Sequence, residues 1–172
     1  YESAVVEPVW LFGRSYQQVN PMRRGAVIVR STPTSLVDVY QLPAWAVLLG
    51  FYFSDGSLNF QEGSGATVTI YQRADRVAPI FDAAEGCGLR PRIAAIDARN
   101  GVAQVRVGGA ALARHLRLFG QGSYAKRLPG YVFEWPCELR EHLLNGLMAG
   151  DGTVTEHGVR VYSTVCKGLA DD

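Results

Sequence analysis

Two aspartates carry the chemistry this chain is equipped to do. Asp55 lies in Leu-Leu-Gly-Phe-Tyr-Phe-Ser-Asp-Gly-Ser (residues 48–57), and Asp151 lies in Leu-Asn-Gly-Leu-Met-Ala-Gly-Asp-Gly-Thr (residues 144–153). In each stretch a glycine stands five residues before the acid (Gly50, Gly146). A small residue directly precedes the acid (Ser54, Gly150), and a glycine directly follows it (Gly56, Gly152). Small residues on one helical face let two backbones approach closely. A glycine just past a helix end commonly supplies positive φ. The spacing therefore predicts two helices packed through Gly50, Ser54, Gly146 and Gly150, with Asp55 and Asp151 emerging together at one end. Two carboxylates at the negative poles of two helix dipoles want a cation between them. The pattern points to a divalent-metal site made from a duplicated element.

The two stretches resemble the paired LAGLIDADG (dodecapeptide) motifs of homing endonucleases. Lys-Arg-Leu-Pro-Gly-Tyr-Val-Phe (residues 126–133) is similar to the lysine–proline block that precedes the second motif in intein-borne members. Tyr-Ser-Thr-Val-Cys-Lys-Gly-Leu-Ala-Asp-Asp (residues 162–172) is similar to the block that follows it. The resemblance spans residues 42–172 in the family's order. It implies an α+β fold of two αββαββα pseudo-repeats, with paired central helices and antiparallel sheets that form a saddle in the major groove. It also implies a Mg²⁺-dependent, staggered double-strand cut in DNA, with Asp55 and Asp151 as catalytic acids and metal ligands. Lys126 matches the position of the family's catalytic lysine, and Lys167, in the later block, is a weaker candidate. Phosphodiester hydrolysis needs an activated water, a clamp on the phosphate and a stabilised leaving oxygen, which divalent ions can supply. Mg²⁺ favours carboxylate and water oxygens. Gln72 and Ser163 are candidates for ordering solvent. Two alternatives stay open: a catalytically inactive LAGLIDADG domain that binds DNA or acts as an RNA maturase, and a purely structural insertion.

The elements that must position these residues follow from local pattern. Pro43 opens an apolar helix of the kind buried on all sides. A strand from residue 57, a Gly-rich turn at 62–65 and a strand at 66–72 make a hairpin. A helix is predicted over 74–85, tolerating Pro79 only if it begins late. Strands at 92–97 and 102–107 flank Asn100-Gly101, a strong hairpin turn. An amphipathic helix follows at 110–119. The second motif helix begins at Trp135-Pro136 and leads to a shorter hairpin, in which Val-Arg-Val-Tyr at 159–162 lines up with Val-Thr-Ile-Tyr at 68–71. Thr69, Tyr71, Arg73, Gln104, Arg106 and Arg160 form the expected DNA-binding set. Gln and Arg are the side chains that read adenine and guanine bidentately. The expected domains are an N-terminal extension (1–41, a basic arm or a splicing-domain remnant), a first repeat (42–130) and a second repeat (131–172). The second repeat is expected to be incomplete.

Bulk properties set the class. Apolar residues are 48% of the chain and charged residues 19%, an ordinary balance for a soluble globular protein. No apolar run approaches the ~20 residues that span a bilayer. Three cysteines without paired metal spacing (Cys87, Cys137, Cys166) read as reduced thiols, which points to the cytoplasm. The net charge is only +1, yet residues 66–128 hold ten basic residues against four acids, a surplus of six. Of the basic residues only Lys126 and Lys167 are lysines; arginine suits phosphate and guanine contacts. His115, His142 and His157 lack any partner spacing and read as surface or core-edge residues. The expected partner is double-stranded DNA, with no membrane. The expected state is a monomer, or a domain set in a protein-splicing element. The chain has neither an N-terminal Cys or Ser nor a C-terminal Asn, so it is not expected to splice itself.

Overall fold

Helix α1 (Pro43–Asp55) is apolar on almost every side and is buried accordingly, from Trp45 through Phe53 with only Val47 half-buried. The computed structural model describes residues 28–30, 38–40, 43–61 and 65–172. Most of the 1–41 extension and of the 62–65 turn therefore lies outside the described residues. Of the extension, the described backbone forms an antiparallel pair, β1 (Ile28–Arg30) with β2 (Asp38–Tyr40). Against α1 packs α4 (Cys137–Asp151), which buries Leu139, Leu143, Gly146 and Leu147, a stripe at helical spacing. The two helices meet backbone to backbone. A Cβ on Gly50 would stand 2.7 Å from Leu147 N, and one on Gly146 would stand 3.0 Å from Gly50 Cα. No larger residue fits this crossing unless the helices separate.

Each of these helices runs directly into a hairpin. After α1 come β3 (Gly56–Gln61) and β4 (Gly65–Arg73); after α4 come β7 (Gly152–Val154) and β8 (Arg160–Tyr162). Here one expectation is corrected. Gly56 and Gly152 are not left-handed helix caps, because each is the first residue of a strand; Gly152 is extended at φ −92°. Glycine is needed for a different reason: close approach. A Cβ on Gly56 would stand 2.6 Å from Tyr52 Cα, and one on Gly152 would stand 2.5 Å from the Met148 carbonyl oxygen.

The first hairpin joins β5 (Arg92–Ile96) and β6 (Val102–Gly108) in a four-stranded antiparallel sheet of order β3-β4-β6-β5. Gly101 takes φ 70° in the β5–β6 turn, and Asn100 Oδ1 accepts the Val102 N–H at 2.9 Å. α2 (Ala78–Gly86) starts four residues later than the pattern at 74 suggests, after a single 3₁₀ turn. The reason is Pro79, whose missing N–H is harmless only in the first turn. With α3 (Ala110–Arg117), α2 joins the core built on the sheet's apolar face: Val68 and Ile70 of β4, Ala103, Val105 and Val107 of β6, and Ile80, Leu112 and Leu116 from the helices. α5 (Lys167–Asp171) closes the described chain. It is anchored by buried Leu169, and Asp172 beyond it pairs with Arg127 and accepts the Leu128 N–H. The architecture is α+β, with five α-helices and one four-stranded antiparallel sheet among the described residues. None of the described helices is long and apolar enough to cross a membrane.

The two hairpins differ in register from what sequence alignment suggests. Gly56 pairs with Ile70, and Gly152 pairs with Tyr162. Tyr162 thus occupies the place of Ile70, not of Tyr71. A one-residue slip turns every side chain to the other face. Arg160 accordingly falls where the first hairpin has buried Val68, rather than where it has Thr69.

Candidate functional site

Asp55 and Asp151 are the last residues of α1 and α4. The helix crossing brings their ends together. Ser54 Oγ donates to the Leu147 carbonyl at 3.0 Å, and a Cβ on Gly150 would stand 2.9 Å from Asp55 Oδ2. Both acids line one open cavity of about 450 Å³, along with Lys126, Ser123, Ser163 and Cys166. Burial pushes the Asp55 carboxyl up to about 6; the Asp151 charge adds to this and Lys126 opposes it. Burial also raises Asp151, again against Lys126. Asp55 is half-buried and Asp151 exposed; a partly desolvated carboxylate beside a second one is costly to ionise, and a divalent cation would remove that cost. Among the described residues no group of three or more His, Cys, Asp or Glu side chains gathers as a metal cage. An ion held between the two acids would have to take its remaining ligands from elsewhere.

Lys126 sits beneath this pair and is only 4% exposed. Its Nζ donates to the carbonyls of Tyr52 (2.7 Å), Gly56 (2.9 Å) and Phe53 (3.1 Å), with that of Ser54 at 3.5 Å. It also lies 4.9 Å from the centre of the Tyr52 ring. Burial lowers its pKa to about 8, opposed by the charges of Asp55 and Asp151. Cys166 Sγ in turn donates to the Lys126 carbonyl at 3.0 Å. The end of α4 is tied differently: Gln72 Nε2 donates to the Ala149 carbonyl at 2.9 Å. Of the two solvent-ordering candidates, Gln72 is thus occupied with main chain, while Ser163 lines the cavity. Lys167 points elsewhere, paired with Asp171 one turn on.

The strand residues divide into groups. On the four-stranded sheet Thr69 faces Arg106 and Tyr71 faces Gln104, so these four are cross-strand neighbours on one side. Tyr71 and Arg106 are exposed, Gln104 is half-buried, and Thr69 is covered at 7% exposure, which leaves its hydroxyl little access to a ligand. Arg73 is exposed and pairs with Asp75 at 3.2 Å. Arg160 lies on the separate β7–β8 pair and is exposed. From its shifted register it turns to α4, donating to Glu141 Oε1 at 2.7 Å and reaching Asn145 Oδ1 at 3.4 Å. Arg92, which pattern alone does not single out, lies opposite Arg106. Counting back from the Asn-Gly turn would place Ile93 there, but an irregularity between Ile93 and Ala95 inserts one residue. Of the surface and core-edge places expected for the histidines, His115 takes the core edge, packed between the Trp45 and Phe119 rings.

The arrangement can hold a hard cation between two helix ends, beside a sheet face that carries two opposed arginines. No family model matches the chain, and no curated protein matches it.

Proposed function

We propose that the protein is a LAGLIDADG-type endonuclease domain that cuts double-stranded DNA with Mg²⁺ held by Asp55 and Asp151. One observation carries the reading: two carboxylates from helix ends far apart in sequence line one cavity, beside a helix crossing that only glycine permits. The element order supports two pseudo-repeats. The run α1-β3-β4-α2-β5-β6-α3 has the order αββαββα, and α4-β7-β8-α5 follows the same order through its second helix. The helix pair forms within one chain, which supports a monomer.

The donor set fits Mg²⁺ of the kind that takes one or two protein carboxylates and completes its shell with water and substrate phosphate oxygens. When bound there, such an ion would activate water and stabilise charge on the phosphate and leaving oxygen. The chain's own residues supply the rest. Asp55 and Asp151 hold the cation and fix it relative to both helices. Tyr71, Gln104, Arg106 and Arg92 present a polar face for the duplex, on which phosphate contacts position and base contacts specify.

The test is selection from a randomised duplex library with Mg²⁺, followed by sequencing of the cut ends. EDTA and Asp55→Asn serve as controls. Recurrent Mg²⁺-dependent staggered ends support the reading. Site-selective binding without cuts supports the second reading, a non-cutting DNA- or RNA-binding domain or maturase. One feature favours that alternative: the Lys126 ammonium is engaged with main-chain carbonyls.

A further inference from the structure

We propose that Lys126 is a positioning residue: its ammonium caps the last turn of α1 and so sets where Asp55 presents its carboxylate, instead of acting on the scissile phosphate. This rests on the metal-site reading above and concerns how that site is built.

The last carbonyls of any helix lack intrahelical partners. Many helices satisfy them with a left-handed glycine that folds the chain back. α1 has no such cap, because Gly56 enters β3 directly. In its final turn Tyr52 and Phe53 are buried, at 1% and 2% exposure, and Ser54 and Asp55 half-buried. An ammonium has three N–H donors, and the carbonyls of Tyr52, Gly56 and Phe53 take all three at 2.7–3.1 Å. The same cation offsets the negative pole of the α1 dipole at the point where Asp55 adds another negative charge.

The partner helix makes a useful contrast. The end of α4 has the same problem and solves it without charge. The Gly152 N–H serves the Met148 carbonyl, and the Gln72 side-chain amide serves that of Ala149. Side-chain capping of the final turn is thus a shared feature of both acids' supports, and Lys126 is the α1 version of it. A phosphate could reach Nζ only by displacing main-chain acceptors.

The experiment compares wild type with Lys126→Met on the full chain, using Mn²⁺ binding followed by water-proton relaxation and cleavage rate as a function of Mn²⁺. A positioning role predicts Mn²⁺ affinity lower by about tenfold or more, the usual consequence of losing a group that orients a ligand. It also predicts a lower melting temperature in EDTA, and a cleavage rate at saturating Mn²⁺ within about threefold of wild type. Unchanged Mn²⁺ affinity with a hundredfold lower saturated rate would overturn the proposal and place Lys126 at the reacting atoms. Should Lys126→Met not fold, Lys126→Gln, which keeps two donors without charge, carries the same comparison. Absence of Mn²⁺ binding in wild type would instead overturn the metal-site reading itself.

Discussion

The Asp55 carboxylate lies against Gly150, the residue before the other acid: a Cβ on Gly150 would stand 2.9 Å from Asp55 Oδ2. The small-residue stripe is therefore part of the site as well as of the helix packing, and its two ends should respond differently to substitution. Gly146→Ala drives a methyl into the backbone of α1, 3.0 Å from Gly50 Cα and 3.1 Å from Val47 C. We expect a net loss of about 2 kcal/mol in urea unfolding, despite a helix-propensity gain of about 1 kcal/mol. Gly150→Ala drives its methyl against Ser54 Cβ, an atom fixed to the α1 backbone, and to 2.9 Å from Asp55 Oδ2. It should cost about 2 kcal/mol as well while weakening metal binding more than Gly146→Ala does. Equal metal affinity in the two variants would count against a carboxylate held against Gly150.

Asp55→Asn should stabilise the metal-free protein. With its pKa raised to about 6, the Asp55 carboxyl binds its proton more tightly in the folded state than in the unfolded chain. The ionised form thus costs stability above about pH 6, and the cost fades as pH falls from there towards 4. The full shift corresponds to ~3 kcal/mol, discounted to about 1–2 kcal/mol because the group is part-exposed. Urea unfolding in EDTA at pH 7 should show Asp55→Asn more stable than wild type by that amount, with the gain gone near pH 4. Mg²⁺ should raise the melting temperature of wild type and not of the variant. Under the nuclease reading, cleavage is abolished while DNA affinity is kept.

What the sequence makes legible here follows from where the signal is local. The buried run of α1, the small residues around each acid and the Asn100-Gly101 turn all mark their elements through side chains that do the structural work themselves. Three features leave no such trace. Gly56 and Gly152 look like left-handed caps, yet the reason for glycine is contact with Tyr52 and Met148, one turn back. The faces of Arg160 and Arg92 depend on a one-residue register choice and on a strand irregularity, both set by cross-strand hydrogen bonding. The partners of Lys126 are carbonyl oxygens, which every residue possesses and which no sequence pattern can single out.

Arg106 and Arg160 should part company in DNA binding. Arg106 is exposed on the sheet between Thr69 and Arg92, whereas Arg160 is engaged by Glu141 and Asn145 on α4. Arg106→Ala should weaken duplex binding. If it contacts phosphate, it should also lower the salt slope by about one unit; if it reads a base, it should relax preference at that position, worth about 1–3 kcal/mol. Arg160→Ala should leave affinity and salt slope unchanged and cost at most about 1 kcal/mol of stability, as exposed ion pairs do. Fluorescence anisotropy over a range of salt concentrations separates the two. A salt slope that falls with Arg160→Ala would put that guanidinium on the duplex.

His115 should govern the acid limb of stability. It sits 5.9 Å from the Trp45 ring and 5.1 Å from that of Phe119, its Nε2 has no hydrogen-bond partner among the described residues, and burial lowers its pKa to about 4. An unfolded histidine titrates near 6.5, so the folded state resists protonation that the unfolded chain accepts. The stability held above pH 6.5 is lost as pH falls towards 4, by about 2 kcal/mol. Asp55 acts with the opposite sign over nearly the same window, so the wild-type profile should be shallow through partial cancellation. His115→Phe, which keeps an aromatic ring in the cluster, should remove the acid loss and leave stability rising as pH falls from 6 to 4. Asp55→Asn should expose that loss and steepen the decline. Urea unfolding of the three proteins at half-unit pH steps reads both slopes, and parallel profiles for wild type and His115→Phe would mean that the imidazole titrates alike in the folded and unfolded chains.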